Sequence, residues 1–250
     1  MPRDTRPISA ARLLDAWEAG LEQHPLGRAL RLLQLAEPEQ SLDGLALLSI
    51  GERNRRLLAL RERLIGPHFE AVATCPQCGE RLEMSFTAQQ LYASAPASTS
   101  EPIEVAHNGY CVRVRLPSTA DLLDVLDAAS TEQAQARLLA RCLLWVRQGD
   151  IELPPETALP EGVVAAIQAH MAQADPMGDL QLTPRCPACG HGWTTALDLA
   201  TYVWEEVADR AKRLLRETHT LARAYGWREA DILAMSDQRR QWYLDLLSNS

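Results

Sequence analysis

The chain has 250 residues, enough to bury one or two hydrophobic cores, and its 46% hydrophobic and 23% charged residues are ordinary for a globular protein. A net charge of −8 disfavours a general nucleic-acid binder, because attraction to phosphates needs an excess of basic residues. No apolar run approaches the length of a membrane span, and no secretory signal is visible at the start. We therefore expect a cytoplasmic protein that binds neither nucleic acid nor membranes.

The N-terminal region, residues 1–65, is predicted to be helical. Ser9 is a capping residue before the first helix, and apolar positions recur at helical spacing over residues 24–36. A third helix is predicted to begin at a capping box of Ser49 and Glu52 and to end at Gly66 and Pro67.

The third helix is rich in arginine, with Arg53, Arg55, Arg56, Arg61 and Arg63. These side chains could form a binding stripe, but the acidity of the whole chain favours the simpler interpretation of a solvated helix face.

A short string occurs twice, as Cys75-Pro76-Gln77-Cys78-Gly79 and as Cys186-Pro187-Ala188-Cys189-Gly190. A C-x-x-C turn aims two thiolates at one point, and the following glycine supplies the backbone conformation that the turn needs. Two copies predict one structural zinc ion held by Cys75, Cys78, Cys186 and Cys189, with no open coordination position for chemistry. Disulfides or redox motifs are the alternative, but the strings lack a secretory or βαβ context.

The 107 residues between Cys78 and Cys186 must leave the metal and return to it. The sequence thus predicts a zinc ribbon, residues 66–93 and 180–199, split by an α+β insertion at residues 94–179. The predicted fold class is α+β, mostly α-helical.

The insertion begins with a polar linker at residues 94–102, which is too poor in large apolar residues to pack. Its other predicted elements are a hairpin over 103–116 turning at Asn108 and Gly109, a helix from Ser118 to Ala129, a helix from Ser130 whose periodicity includes Leu143 and Val146, a strand near Ile151, a helix over 161–172 and a strand at Leu180 and Leu182. Cys111 and Cys142 are predicted to be buried free thiols.

The C-terminal region, residues 200–250, is predicted to be helical. An apolar seam runs through residues 201–225, and further helices are predicted over 227–233 and 237–247. We expect the first half of the seam to dock on the ribbon and the far half to lack a partner within the chain.

Large apolar and aromatic residues concentrate near the C-terminus. Ile232 and Leu233 are predicted to form a small private core. Tyr225, Trp227 and Trp242 are predicted to anchor a partner protein, because aromatic residues with a polar tip are enriched at contact surfaces.

No sequence pattern points to catalysis. The chain has no G-x-S-x-G, no H-E-x-x-H and no glycine-rich phosphate loop, and its six histidines are scattered. His191 lies close to the second cysteine string, but four cysteines already complete the metal shell. The prediction is a protein that is not an enzyme.

Three segments carry a family resemblance: residues 51–67, residues 70–74 before the first string, and residues 208–233. They resemble the phage baseplate protein family that includes the T-even-type baseplate hub assembly chaperones, with relatives in extracellular contractile injection systems. The resemblance implies a non-catalytic assembly factor or minor baseplate component that acts on hub or spike proteins and can be incorporated into a phage-tail-like particle. A zinc-ribbon adaptor in nucleic-acid metabolism is the alternative, which the acidic charge disfavours.

Overall fold

The structure is a computed structural model that describes residues 8–95, 102–154 and 157–248. The chain divides into two compact units, one formed by residues 8–42 and 200–248 and the other by residues 43–199. Helices and strands are both present and helices predominate, so the predicted α+β class is confirmed. Most of the predicted linker, residues 96–101, lies outside the described residues.

The helices are α1 (Ala10–Gly20), α2 (Pro25–Ala36), α3 (Leu42–Ala46), α4 (Ile50–Leu64), α5 (Ala88–Ser94), α6 (Thr119–Asp124), α7 (Thr131–Cys142), α8 (Glu161–Ala174), α9 (Leu199–Tyr225), α10 (Glu229–Leu233) and α11 (Asp237–Ser248). The strands are β1 (His68–Thr74), β2 (Arg81–Thr87), β3 (Ile103–His107), β4 (Tyr110–Val114), β5 (Leu143–Gln148), β6 (Ile151–Leu153), β7 (Gln181–Leu182) and β8 (Thr195–Ala196). A short 3-10 helix occupies Pro176–Gly178.

The first unit is built from α1, α2 and the C-terminal helices. The Ser9 side chain caps α1 by accepting a hydrogen bond from the Arg12 N–H at 3.3 Å, as the sequence predicted. Trp204 of α9 packs so tightly on α1 that a Cβ on Gly20 would lie 2.4 Å from its ring. The Arg28 guanidinium of α2 lies 5.1 Å from the same ring. The N-terminal helices thus cover part of the α9 seam.

The far half of α9 does have partners within its unit, so that part of the prediction is wrong. Leu221 is fully buried, and Glu217 accepts a 3.2 Å hydrogen bond from the buried Arg240 of α11. Ile232 of α10 is fully buried as well, in agreement with the predicted small core. The short C-terminal helices fold back and supply the apolar contacts that the seam needs.

The core of the second unit lies between α8 and the antiparallel sheet, whose strand order is β3-β4-β5-β6. The predicted hairpin is confirmed, with Asn108 and Gly109 both at positive φ in its turn. The buried cluster comprises Val105, Val112, Val114, Val146, Val163 and Ile167.

Leu143 and Val146 do not continue a helix as predicted. Helix α7 ends at Cys142, and both residues belong to β5, where Val146 pairs with Val112. A short apolar run fits either periodicity, and here the pairing with β4 decides the outcome. The helix predicted to reach Ala129 also ends early, at Asp124.

The two remaining cysteines differ in burial. Cys142 is fully buried as predicted, and burial raises the pKa of its thiol to about 11. Cys111 is only half-buried, because it lies on β4 facing away from the most buried positions of that strand.

Two of the five α4 arginines are buried rather than solvated, which corrects the prediction for them, whereas Arg63 is exposed as predicted. Arg53 and Arg61 are 6% and 2% exposed. The Arg61 guanidinium lies 3.9 Å from the ring centre of Phe69, and Arg55 donates a 3.0 Å hydrogen bond to the Ala95 carbonyl. These side chains connect α4 to neighbouring segments of its own unit, and their stems cover apolar surface.

Candidate metal centre

The first cysteine string lies at the tip of the hairpin β1–β2. Strands β1 and β2 pair at seven positions, from His68 opposite Thr87 to Thr74 opposite Arg81, and the cysteine turn connects the two strands after the last pair. The base of the hairpin is anchored by Phe69, which is fully buried and stacks on Phe86 at 5.0 Å between ring centres. The second string lies in a shorter hairpin formed by β7 and β8.

The two turns have the same backbone hydrogen bonds. In the first, Cys75 N–H donates to the Glu80 carbonyl at 2.8 Å and Gly79 N–H to the Cys75 carbonyl at 2.9 Å. The second turn repeats both bonds at the same lengths, from Cys186 to His191 and from Gly190 to Cys186. Gly79 and Gly190 have φ of 77° and 74°, the left-handed region that glycine enters without a steric penalty.

The four sulfur atoms converge. The Sγ atoms of Cys75, Cys78, Cys186 and Cys189 all lie within 4.8 Å of one another. Cys75 Sγ is 3.7 Å from Cys189 Sγ, and Cys78 Sγ is 3.6 Å from Cys186 Sγ. These cysteines are free thiols rather than disulfides. The first cysteine of each string is buried and the second is exposed, so the cluster lies at the surface with one side covered.

A small apolar cluster supports the sulfurs. Cys75 and Cys186 are buried together with Leu82 of β2, and Trp193 packs against them. The His191 ring stacks on Trp193 at 6.1 Å between centres, and its nitrogens do not join the cysteine cluster. His191 is half-buried beside the turn.

Backbone N–H groups also point at the sulfurs. Burial by itself raises the pKa of Cys75, but hydrogen bonds from the N–H groups of Cys78 and Gln77 outweigh burial and lower it to about 7. The Glu80 N–H lowers the pKa of Cys78, but the neighbouring Cys189 thiol and burial prevail and raise it to about 12. The pKa values of the two cysteines in this turn are therefore shifted in opposite directions.

The geometry fits a metal ion. Zinc–sulfur bonds of about 2.3 Å in a tetrahedron place sulfurs about 3.8 Å apart, close to the two shortest separations observed. The four cysteines are thus compatible with one metal site, and all four donors are sulfur, which leaves no open position for a substrate.

The predicted partner-binding residues do not form one exposed patch. Tyr225 and Trp227 stack on each other at 4.5 Å, and Tyr243 meets both rings edge-on at 5.8 and 4.8 Å. Trp242 lies outside this cluster with 66% of its surface exposed. Tyr243 belongs to the C-terminal concentration of aromatic residues seen in the sequence, but it was not among the predicted anchors, and the structure places it in the cluster with Tyr225 and Trp227.

Among the residues that the structure describes, no helix has the length and apolar character needed to cross a membrane.

The family described as T4 bacteriophage base plate protein matches residues 34–202, more than half of the chain. The chain belongs to that family. The match includes all four cysteines, whereas residues 208–233 lie outside it. No curated protein and no solved structure matches the chain.

Proposed function

We propose that this protein is a non-catalytic assembly factor or minor component of the baseplate, acting on hub or spike proteins of a contractile phage tail or a related injection system. The observation that carries the proposal is membership of the baseplate family across residues 34–202. A baseplate is assembled from many subunits, and this chain contains no residue pattern for catalysis. Its contribution is therefore binding and positioning of other baseplate proteins.

We propose that one zinc ion is held by Cys75, Cys78, Cys186 and Cys189 as the metal of a split zinc ribbon. The sulfur spacings and the all-thiolate donor set support zinc over magnesium or calcium, which prefer oxygen. A closed four-sulfur site holds structure and supplies no reaction chemistry. Its role is to connect the two ends of the insertion, so that the segment between them returns to one point.

The proposed contact with a hub protein is the C-terminal aromatic segment that contains Tyr225, Trp227 and Trp242. A co-expressed, tagged hub protein from the same gene cluster is expected to retain the wild-type chain. The double variant Trp227→Ala, Trp242→Ala is expected to lose most of that retention, about tenfold or more, because buried aromatic anchors dominate contact energies.

Leu215→Ala is the matched control, since Leu215 is an apolar residue of α9 with 36% exposure outside the aromatic segment. Both variants must keep the wild-type helix content by circular dichroism. Equal retention of the folded double variant would place the hub contact elsewhere. Retention of neither protein, combined with specific binding to nucleic acid at physiological salt, would favour the adaptor alternative over a baseplate role.

Mass spectrometry of purified particles distinguishes a minor baseplate component from an assembly factor. A minor component remains in finished particles at a fixed ratio to the hub protein. An assembly factor occurs in the lysate and is missing from the particle.

A further inference from the structure

Helix α11 exposes one apolar face. Trp242 is 66% exposed and Leu246, four residues further on, is 54% exposed, so both lie on the same side of the helix. The opposite side packs into the unit through the fully buried Arg240 and the half-buried Tyr243. An exposed tryptophan and leucine side by side are unusual on a helix whose other apolar positions are covered.

Two opposite charges flank this face at equal distances. Arg239 precedes Trp242 by three residues and Asp245 follows it by three. Within the described residues neither side chain forms an ion pair; Asp245 accepts only a 2.8 Å hydrogen bond from the neutral Gln241 amide. Their neighbour Asp237, in contrast, is paired with Arg240 at 2.6 Å.

Arg239 and Trp242 line the same shallow depression on the surface. Its other lining residues are Ser236, Gln238 and Tyr243, so the lining carries one positive charge and no negative charge. The Arg239 guanidinium lies 5.9 Å from the Tyr243 ring, which holds it beside the depression. The depression therefore suits an apolar group accompanied by a carboxylate.

We propose that, in the absence of a hub protein, the partner of this face is a second copy of the same chain, so that this dimer and the proposed hub contact at Trp242 exclude each other. When two α11 helices pack antiparallel with a two-fold axis near Trp242, Arg239 of each copy faces Asp245 of the other. The two tryptophans then cover one another at the centre, and each Leu246 lies about 6 Å further along its helix, against the other copy. A two-fold contact uses one surface patch twice and needs such self-complementarity. The charge pattern of α11 meets this requirement without any change elsewhere in the chain.

The contact is small and the dimer is correspondingly weak. A helix of 12 residues is about 18 Å long, so two of them bury less than the roughly 1,200 Å² of a standard stable interface. We expect dimers at ~100 µM protein and monomers at ~1 µM. Higher salt should shift the balance toward monomers, because exposed ion pairs are screened.

The test is sedimentation of the purified full chain at several concentrations, with two charge-reversal variants. Arg239→Asp places two negative charges opposite each other at both ends of the contact, and Asp245→Arg places two positive charges there. Each variant alone is expected to dimerise at least about tenfold more weakly than the wild type. An equimolar mixture of the two variants restores opposite charges at both ends and is expected to recover the dimer.

Arg223→Asp is the matched control, because it makes the same charge change at an exposed position of α9 rather than of α11. It should dimerise as the wild type does, and Trp242→Ala should be monomeric. A wild-type chain that stays monomeric at ~100 µM would overturn the proposal, as would a mixture of the two charge variants that stays monomeric. Neither result would change the baseplate assignment, which rests on the family match over residues 34–202 and is tested by particle composition.

Discussion

Asp121 is a buried carboxylate that accepts hydrogen bonds from three residues. It is 1% exposed, and its oxygens accept hydrogen bonds from Arg115 at 2.6 and 2.8 Å, from Arg141 at 2.9 Å and from Ser118 at 2.7 and 2.9 Å. Burial by itself raises the pKa of Asp121, but the donors led by Arg115 outweigh it and hold the pKa well below the usual range. One carboxylate thus joins the start of α6 to the end of α7 and to the segment after β4.

We predict that Asp121→Asn lowers the free energy of unfolding at pH 7 by about 1–3 kcal/mol, because a neutral amide cannot satisfy two guanidinium groups. The value lies below that of a fully buried ion pair, since Arg115 and Arg141 are 37% and 40% exposed and water replaces part of the lost interaction. Urea unfolding followed by circular dichroism measures the difference.

The same variant gives a pH prediction. A carboxylate with a depressed folded pKa stabilises the fold fully above its unfolded pKa of about 3.9 and loses that contribution as the pH falls through the folded value. The wild-type advantage over Asp121→Asn should be constant from pH 7 to about 5 and should shrink below about 4. Asp124→Asn is the control, since Asp124 is 52% exposed and should change stability by less than about 1 kcal/mol. An advantage that grew with acidity would contradict the assignment.

At the scale of elements, the first turn of α4 is held by a residue far away in sequence. The Gly51 N–H donates a 2.8 Å hydrogen bond to the carboxylate of Asp175, which is 6% exposed. The Asn54 side chain, one turn later, donates to the Met177 carbonyl at 2.9 Å. The segment before β7 is therefore attached to the N-terminal end of α4, where a helix favours negative charge.

Gly51→Ala should disrupt this attachment. A Cβ at Gly51 would lie 1.6 Å from Asp175 Oδ1, so the carboxylate must leave its position and the Gly51 N–H loses its acceptor. We predict a loss of about 2–4 kcal/mol in the free energy of unfolding, measured with urea.

Gly162→Ala in α8 is the matched control for this substitution. The nearest atom to a Cβ at Gly162 is 3.5 Å away, which is ordinary contact distance. The control should keep its stability or gain about 0.5 kcal/mol, because alanine restricts the unfolded chain more than glycine does. A loss for Gly162→Ala as large as that for Gly51→Ala would mean that the effect does not come from displacement of the Asp175 carboxylate, since alanine favours helices more than glycine does.

At the scale of the whole molecule, the cysteine cluster closes a long loop. Cys75 and Cys78 lie on the first hairpin and Cys186 and Cys189 on the second, and the sheet with α8 is folded from the chain between them. A structural zinc site contributes on the order of 10 kcal/mol, which is comparable with the net stability of a domain.

We predict about one zinc ion per wild-type chain purified without chelator. Cys186→Ser should lose the ion and leave the second unit unfolded or the protein insoluble. Cys111→Ser, the control, changes a half-buried thiol outside the cluster and should retain the zinc. Metal analysis and circular dichroism measure both outcomes. Metal-free wild-type protein that unfolds no more easily than a zinc-loaded sample would remove the structural role of the site.

The helix starts at Ser9 and Ser49, the turn at Asn108 and Gly109 and the four cysteines could all be predicted from sequence. Each depends on a few consecutive residues whose local chemistry has few alternatives: a hydroxyl caps free N–H groups, and paired C-x-x-C turns collect sulfurs. The two cysteine pairs could be predicted to converge because each C-x-x-C turn supplies only two of the four sulfurs that a structural zinc ion requires.

The remaining features depended on pairings between distant segments. The apolar pattern around Val146 fits a helix and a strand equally well, and the pairing with β4 decides between them. The sequence likewise does not show that the Arg61 guanidinium lies against the Phe69 ring. No residue close to Gly51 in sequence indicates that its N–H donates a hydrogen bond to Asp175, 124 positions away. The tertiary structure decided these points because burial and hydrogen bonding there belong to pairs of segments, and neither segment alone carries the information.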